Sequence, residues 1–186
     1  MSCIEHRTAR AWAKLNQMHE VLCDPKVNKN TRLKLLESCV MPRLIYGLQA
    51  CFPKEKEMKK IESCWFQLLR TMVKGGWRRV SEDPEDPDFR FVYRNSDLQR
   101  IIGTKSIRDI LLGHHLRYFG HVCRDENPAI TKKMMFAVSK ASNYSDPWEK
   151  IEESVGIDRT QLLRDTWDRA AFKRFTKSLM DPLQRR

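Results

Sequence analysis

No stretch of this sequence approaches the ~18 consecutive apolar residues that a bilayer span requires. The opening MSCIEHRTAR lacks the apolar centre of a secretory signal. An intracellular protein, in nucleus or cytoplasm and without a membrane partner, is expected. The six cysteines, Cys3, Cys23, Cys39, Cys51, Cys64 and Cys123, are scattered, with no CxxC and no knuckle spacing. No zinc finger is written in them, and in a reducing compartment most should be buried thiols. HExxH, GxSxG, the P-loop and GxGxxG are all missing. No two aspartates are adjacent. No enzyme class is indicated, and neither a metal nor a cofactor is expected.

What is present is a folded composition with an uneven positive charge. Hydrophobic residues make up 41% of the 186, and five Trp with eight Phe argue against disorder. This length holds one or two compact domains. The net charge is +11, divided as +9 over residues 1–80, −4 over 81–97, +5 over 98–140 and +1 over 141–186. Such a basic excess points to a polyanionic partner, most often nucleic acid, with a soluble protein bearing solvated Lys faces as an equal alternative on composition alone.

Apolar residues recur at helical spacing almost throughout, which predicts an all-α fold. Trp12, Leu15, Met18 and Leu22 form a first stripe, which stops at Asp24-Pro25. A second helix, capped by Asn30, carries Leu33, Leu36, Val40 and Leu44; Pro42 should kink or restart it before Tyr46-Gly47. A third runs from about Glu55 to Gly75-Gly76 with Met58, Ile61, Trp65, Leu68 and Met72. These three predict a basic bundle over 1–79, with Trp12 and Trp65 in its core. Its exposed faces offer Arg10, Lys14, Arg32, Lys34, Lys59, Lys60 and Arg70, followed by Arg78 and Arg79, as phosphate contacts.

Residues 80–95 read as an acidic, proline-punctuated linker containing SEDPEDPDF, and FRFVY suggests one short strand. A smaller helical domain over 96–186 is expected. Ser96 with Gln99 predicts a capping box, Gly103 a stop, and Thr104 or Ser106 the cap of a longer helix to about Cys123. That outline is helix-turn-helix-like, which would put Lys105, Arg108 and His115 on base edges. A helix over 132–139, a loop over ASNYSDPWEK and a final helix from an Asp158–Gln161 capping box through Leu163, Trp167, Ala170, Ala171 and Phe175 follow.

LLGHHLRYFGHVCR poses the sharpest question. On a helix, Gly113, Arg117, Gly120 and Arg124 share a face. Two helical glycines cost roughly 1 kcal/mol each relative to alanine, so a close visitor is implied, either a phosphate backbone or a neighbouring helix. Arg117 and Arg124 are accordingly either a second phosphate-binding set or structural ties. His114 and His121 lie ~10.5 Å apart along such a helix, too far for one ion.

AWAKLNQMHEVLCDPKVNKNTRLKLLESCVMPRLIYGLQAC resembles the segment that follows the palm in non-LTR (LINE-type) retrotransposon reverse transcriptases, down to Pro42, Leu44, Tyr46 and Gly47 of its Pro-x-Leu-x-Tyr-Gly end. Cys64, Leu69 and Arg70 resemble that family's third helix. Leu116, Arg117, Gly120, His121, Val122 and Arg124 match its Leu-Arg-Trp-Leu-Gly-His-Val-x-Arg signature, with Tyr118 and Phe119 in place of Trp-Leu. The resemblance implies a thumb and the helical connection beyond it, without the palm's catalytic Asp pair. It also implies sequence-independent grip on an RNA–DNA hybrid or duplex, and possible partnership with the rest of a reverse transcriptase. The basic Arg-Gly-Arg-Pro stretch usual after the signature is replaced by KASNYSDPWEK. A helical protein-interaction scaffold that binds no nucleic acid is the alternative.

Overall fold

The structure is a computed structural model, and it describes residues 3–48, 53–74, 77–79, 89–91, 93–124, 151–153 and 155–179. Among the described residues the fold is all-α apart from one short antiparallel ladder. The chain divides into two compact units, Met1–Tyr46 with Pro53–Ile107, and Gly47–Phe52 with Arg108–Arg186. Among the described residues no helix is long and apolar enough to cross a membrane.

The first unit starts with α1 (Cys3–Gln17) and the short α2 (His19–Leu22). Its buried stripe is Ile4, Ala11, Leu15 and Leu22, while Trp12 is only half-buried at the stripe's edge. Asn28, not Asn30, caps α3 (Lys29–Leu35); its Oδ1 accepts from the Asn30 N–H at 2.8 Å. The interruption expected at Pro42 takes the form of a π-helical turn over Leu36–Val40, followed by α4 (Met41–Ile45). Pro42 has no N–H for the Ser38 carbonyl, and its ring crowds that carbonyl in an α-helix. In the wider turn the Met41 N–H reaches back to the Leu36 carbonyl instead. The expected stripe Leu33, Leu36, Val40 and Leu44 is nevertheless buried in full.

Helix α5 (Glu55–Met72) opens with the Glu57 carboxylate accepting from the Lys54 N–H at 2.9 Å. It buries Met58, Ile61, Trp65, Leu68 and Met72, with Trp65 only 1% exposed. The helix stops at Met72, before Gly75-Gly76, and Lys74 takes the turn at φ +55°. Helix α1 packs against α4, the π-turn and α5. The ladder pairs β1 (Trp77–Arg79) with β2 (Phe89–Phe91), which sets Arg78 opposite Arg90. Residues 80–88 of the expected linker lie outside the described residues.

The first unit continues through α6 (Asn95–Ile102), which packs on α5 and α3. The capping box shifts by two residues from the expected Ser96–Gln99 pair. Asp97 Oδ2 accepts from the Arg94 N–H at 3.3 Å. Gly103, at φ +76°, ends α6 in the left-handed region that a side chain disfavours. The Thr104 hydroxyl donates to Glu37 Oε1 at 3.3 Å, so Ser106 stands at the head of the next helix.

The second unit is built on α7 (Ile107–Arg124), a helical segment at 151–153, α8 (Arg159–Asp165) and α9 (Arg169–Leu179). Leu116, Phe119, Cys123, Ile151, Leu162 and Phe172 make its core. The single closing helix expected from Asp158 is two helices. Asp158 caps the first through the Thr160 N–H at 3.0 Å, and Gln161 turns to Asp165 instead of completing a box. Asp168 then accepts from the Ala170 and Ala171 N–H groups, both at 2.9 Å, and starts α9. Trp167, placed on the apolar stripe by its spacing, sits in the break and is 74% exposed. The helix expected over 132–139 and the ASNYSDPWEK loop after it lie outside the described residues.

The glycine face of α7 meets a helix. A Cβ added to Gly120 would lie 2.6 Å and 2.9 Å from the Phe172 ring and 3.0 Å from an Arg124 nitrogen. Replacing Gly120 by Ala should therefore destabilise the chain by about 1–3 kcal/mol, despite alanine's helix propensity, as an overpacked core does. Urea unfolding measures this, and adding Phe172→Leu should recover part of the loss. The Ala171 N–H above all, then the Ala170 N–H and the Arg174 charge, hold the Asp168 carboxyl below its ordinary 3.8 against opposing desolvation. The cap's charge-dependent stabilisation is thus complete above the ordinary carboxylate range and lost as pH falls below it. Asp168→Asn should flatten that part of the melting temperature's decline between about pH 5 and pH 2 while keeping α9 capped.

Candidate nucleic-acid interface

Helix α1 and the π-turn–α4 segment enclose a groove of about 890 Å³ within the first unit. Arg7, Arg10 and Lys14 come from α1, and Arg43 from α4. Steps of three and four residues put the first three on one helical face, spread over ~10.5 Å of axis. Helix α4, which follows the π-turn with Pro42 in its first turn, brings Arg43 and, just past its end, Tyr46 to the opposite wall.

No carboxylate is among the described residues that line the groove. The two acidic residues nearest in sequence to its walls turn elsewhere. Glu5 pairs with Lys60 of α5 at 3.5 Å. Glu37, in the π-turn, accepts from Thr104. The Arg7 Nε–H donates to Cys3 Sγ at 3.2 Å, which holds that guanidinium at the groove's end. Cys3 and Cys39 both line the groove. Cys23 and Cys64 are buried, and burial pushes the Cys64 thiol up to about 11 and raises that of Cys23.

The eleven sequence-predicted contacts divide sharply. Arg10 and Lys14 line the groove, and Lys34 and Lys59 are exposed on α3 and α5. Lys60 is half-exposed in its pair with Glu5, a surface ion pair worth at most ~1 kcal/mol. Arg78 and Arg79 are on β1, not at the end of a helix, and their side chains lie outside the described residues. Arg117 is exposed on α7 of the second unit.

Arg32 and Arg70 take structural roles in place of the expected phosphate contacts, and Arg124 takes the structural one of its two expected roles. Arg32 donates from Nε to the Val27 carbonyl at 3.1 Å and from a terminal nitrogen to the Met72 carbonyl at 2.8 Å, tying the entry of α3 to the end of α5. Arg70, expected on an exposed face, is 7% exposed and donates to Asn95 Oδ1 and the Tyr93 carbonyl. Desolvation pulls its pKa below the ordinary arginine value. Arg124 donates to the Thr166 carbonyl at 2.8 Å, beyond the last turn of α8. Arg32 through the Met72 carbonyl and Arg124 through the Thr166 carbonyl sit at helix C-terminal ends, where a cation is favoured, whereas Arg70 ties α5 to the segment that opens α6.

Arg7 and Arg43 were not among the predicted contacts. The i, i+3, i+7 spacing of Arg7, Arg10 and Lys14 was the available signal for the first. Arg43 had none, because its position depends on the π-turn.

No family model, no curated protein and no solved structure matches the chain.

The three histidines of α7 diverge. His115 is buried, His121 exposed, and half-buried His114 is lowered in pKa by desolvation and then by the Arg117 charge. Among the described residues no three His, Cys, Asp or Glu form a metal-holding group. Helices α6 and α7, which fit the helix-turn-helix outline in sequence, fall in different units.

Replacing Arg70 by Met should lower the unfolding free energy by about 2–3 kcal/mol, because buried acceptors lose a charged donor. Its effect on any nucleic-acid affinity of the folded chain should be negligible. Denaturant titration beside a binding isotherm at low temperature separates the two.

Proposed function

We propose that this chain is a non-catalytic nucleic-acid-binding module that holds a polynucleotide through its phosphates without reading sequence, of the kind implied by its resemblance to a retrotransposon reverse-transcriptase thumb. The observation that carries this reading is the groove: four cations on two facing walls, with neighbouring carboxylates engaged elsewhere. Converging like charges with low-dielectric walls focus a positive potential, and a polyanion is the ligand that relieves it. The basic excess of residues 1–80 supports the same partner class. RNA–DNA hybrid and duplex are the forms that the resemblance favours, with the rest of a reverse transcriptase as a possible protein partner.

The test is affinity for hybrid, duplex and single strands across a salt series. Binding should weaken with a log–log slope of roughly 0.7–0.9 for each phosphate engaged. Arg10→Gln with Arg43→Gln should reduce that slope by about 1.5, whereas Arg117→Gln should leave it unchanged. Binding that ignores salt, or no binding at low salt, overturns the reading in favour of a protein-interaction module.

A further inference from the structure

The groove has features that exposed cationic helix faces lack. It is concave, one wall ends in an aromatic ring, and its cations run along its length. Its volume of about 890 Å³ lies at the upper end of the roughly 300–1,000 Å³ of ordinary ligand pockets. A few nucleotides of one strand fit such a space, whereas a duplex meets proteins as a convex ridge of phosphates that would span its rim. Tyr46 is 74% exposed, yet it lines the groove beside Arg43. Its backbone leaves α4 extended, at φ −53° and ψ 128°, which carries the ring past the last helical turn.

An exposed tyrosine next to arginines is the combination single-strand binders use. The cations follow the backbone, and the ring stacks on an unpaired base regardless of its identity. A paired base offers no free face to such a ring, so Tyr46 gains nothing from a duplex. Arg7, Arg10 and Lys14 are spread along α1 too far to be collected on one isolated anion. The occupant is therefore extended, anionic and able to present a flat ring.

We infer that the groove between α1 and the π-turn–α4 segment takes a single-stranded polynucleotide, with phosphates on Arg7, Arg10, Lys14 and Arg43 and a base stacked on Tyr46. This rests on the nucleic-acid reading above but departs from the paired forms that the resemblance favours, because it assigns the groove to an unpaired strand. Cys3 and Cys39 line the same groove while Cys23, Cys64 and Cys123 are buried, so thiol accessibility reports whether the groove is filled.

The experiment uses the full chain with an oligo(dT) and an oligo(U) of about eight nucleotides, a duplex of the same length, and a mononucleotide. Affinity is read by anisotropy or competition, and occupancy by the rate of maleimide alkylation at Cys3 and Cys39, mapped by mass spectrometry. The single strands should bind at least about tenfold tighter than the duplex and slow alkylation of both cysteines. Tyr46→Ala should lose about tenfold on the single strand and nothing on the duplex, while Tyr46→Phe keeps the ring and the affinity. Tyr46 is exposed, so an unchanged melting curve is expected for both variants.

If the duplex binds as tightly and Tyr46→Ala is silent, or if both thiols stay unprotected, the strand is not in this groove. Nucleic-acid binding by the chain then survives. A mononucleotide that competes as well as the octamer overturns the proposal in favour of a small-anion pocket. Absence of binding to every polynucleotide removes both readings at once.

Discussion

Pro42 is the constraint on which the first unit depends. A residue without an N–H, fourteen positions after the cap at Asn28 that opens this helical run, leaves the Ser38 carbonyl without its α-helical donor. The chain answers with a π-turn, not a break, and so changes which residues face which way without interrupting the buried stripe. Leu33 stays inside before it, Leu36 and Val40 within it, and Met41, Leu44 and Ile45 after it. The one extra residue per turn brings Cys39, Pro42, Arg43 and Tyr46 to the side that α1 lines with Arg7, Arg10 and Lys14. The groove is thus a by-product of satisfying a backbone, and its chemistry is set by what that backbone happens to present.

The arginines divide by geometry and not by charge. Arg32, Arg70 and Arg124 each reach carbonyls at the ends or flanks of helices, where a planar guanidinium can give several donors at once. Five donors on one rigid fork suit places where two or three chain segments meet. Lysines could not fill those places with a single point charge. The remaining cations stay on surfaces, and only where two such surfaces face each other do they add to one field.

Much of the fold was legible in the sequence because helical periodicity and turn residues are local signals. The stripes of the second and third helices, the start at Glu55, the stop at Gly103 and the strand at Phe89 all follow from them. Boundaries set by side-chain capping were off wherever two candidates competed. Asn28 took the cap from Asn30, Asp97 displaced the Ser96 pair, and Asp168 split a helix that periodicity read as continuous. The candidate site was half legible. Arg10 and Lys14 could be read from one helix face, but Arg70 could not be seen to be buried, since its partners Tyr93 and Asn95 are distant in sequence. The glycines flanking Arg117 correctly announced a close visitor, and at Gly120 the visitor is the ring of Phe172.

Four cations along one groove repel each other, and the unliganded fold must bear that repulsion. Helix α1 can hold three of them because its opposite side is fastened independently. Ile4, Ala11 and Leu15 are buried against α4 and α5, and the Glu5–Lys60 pair links α1 to α5. Glu5 and Glu37 could have neutralised the groove from within, yet both point to partners elsewhere in the unit. A fold seeking only stability would turn those carboxylates inward. Among the described residues no carboxylate lines the groove, so on the proposed reading an anion that enters gains attraction without first breaking an ion pair there. On that reading binding and relief of self-repulsion act in the same direction, and the proposed polyanion would stabilise the unit in proportion to its occupancy of the groove.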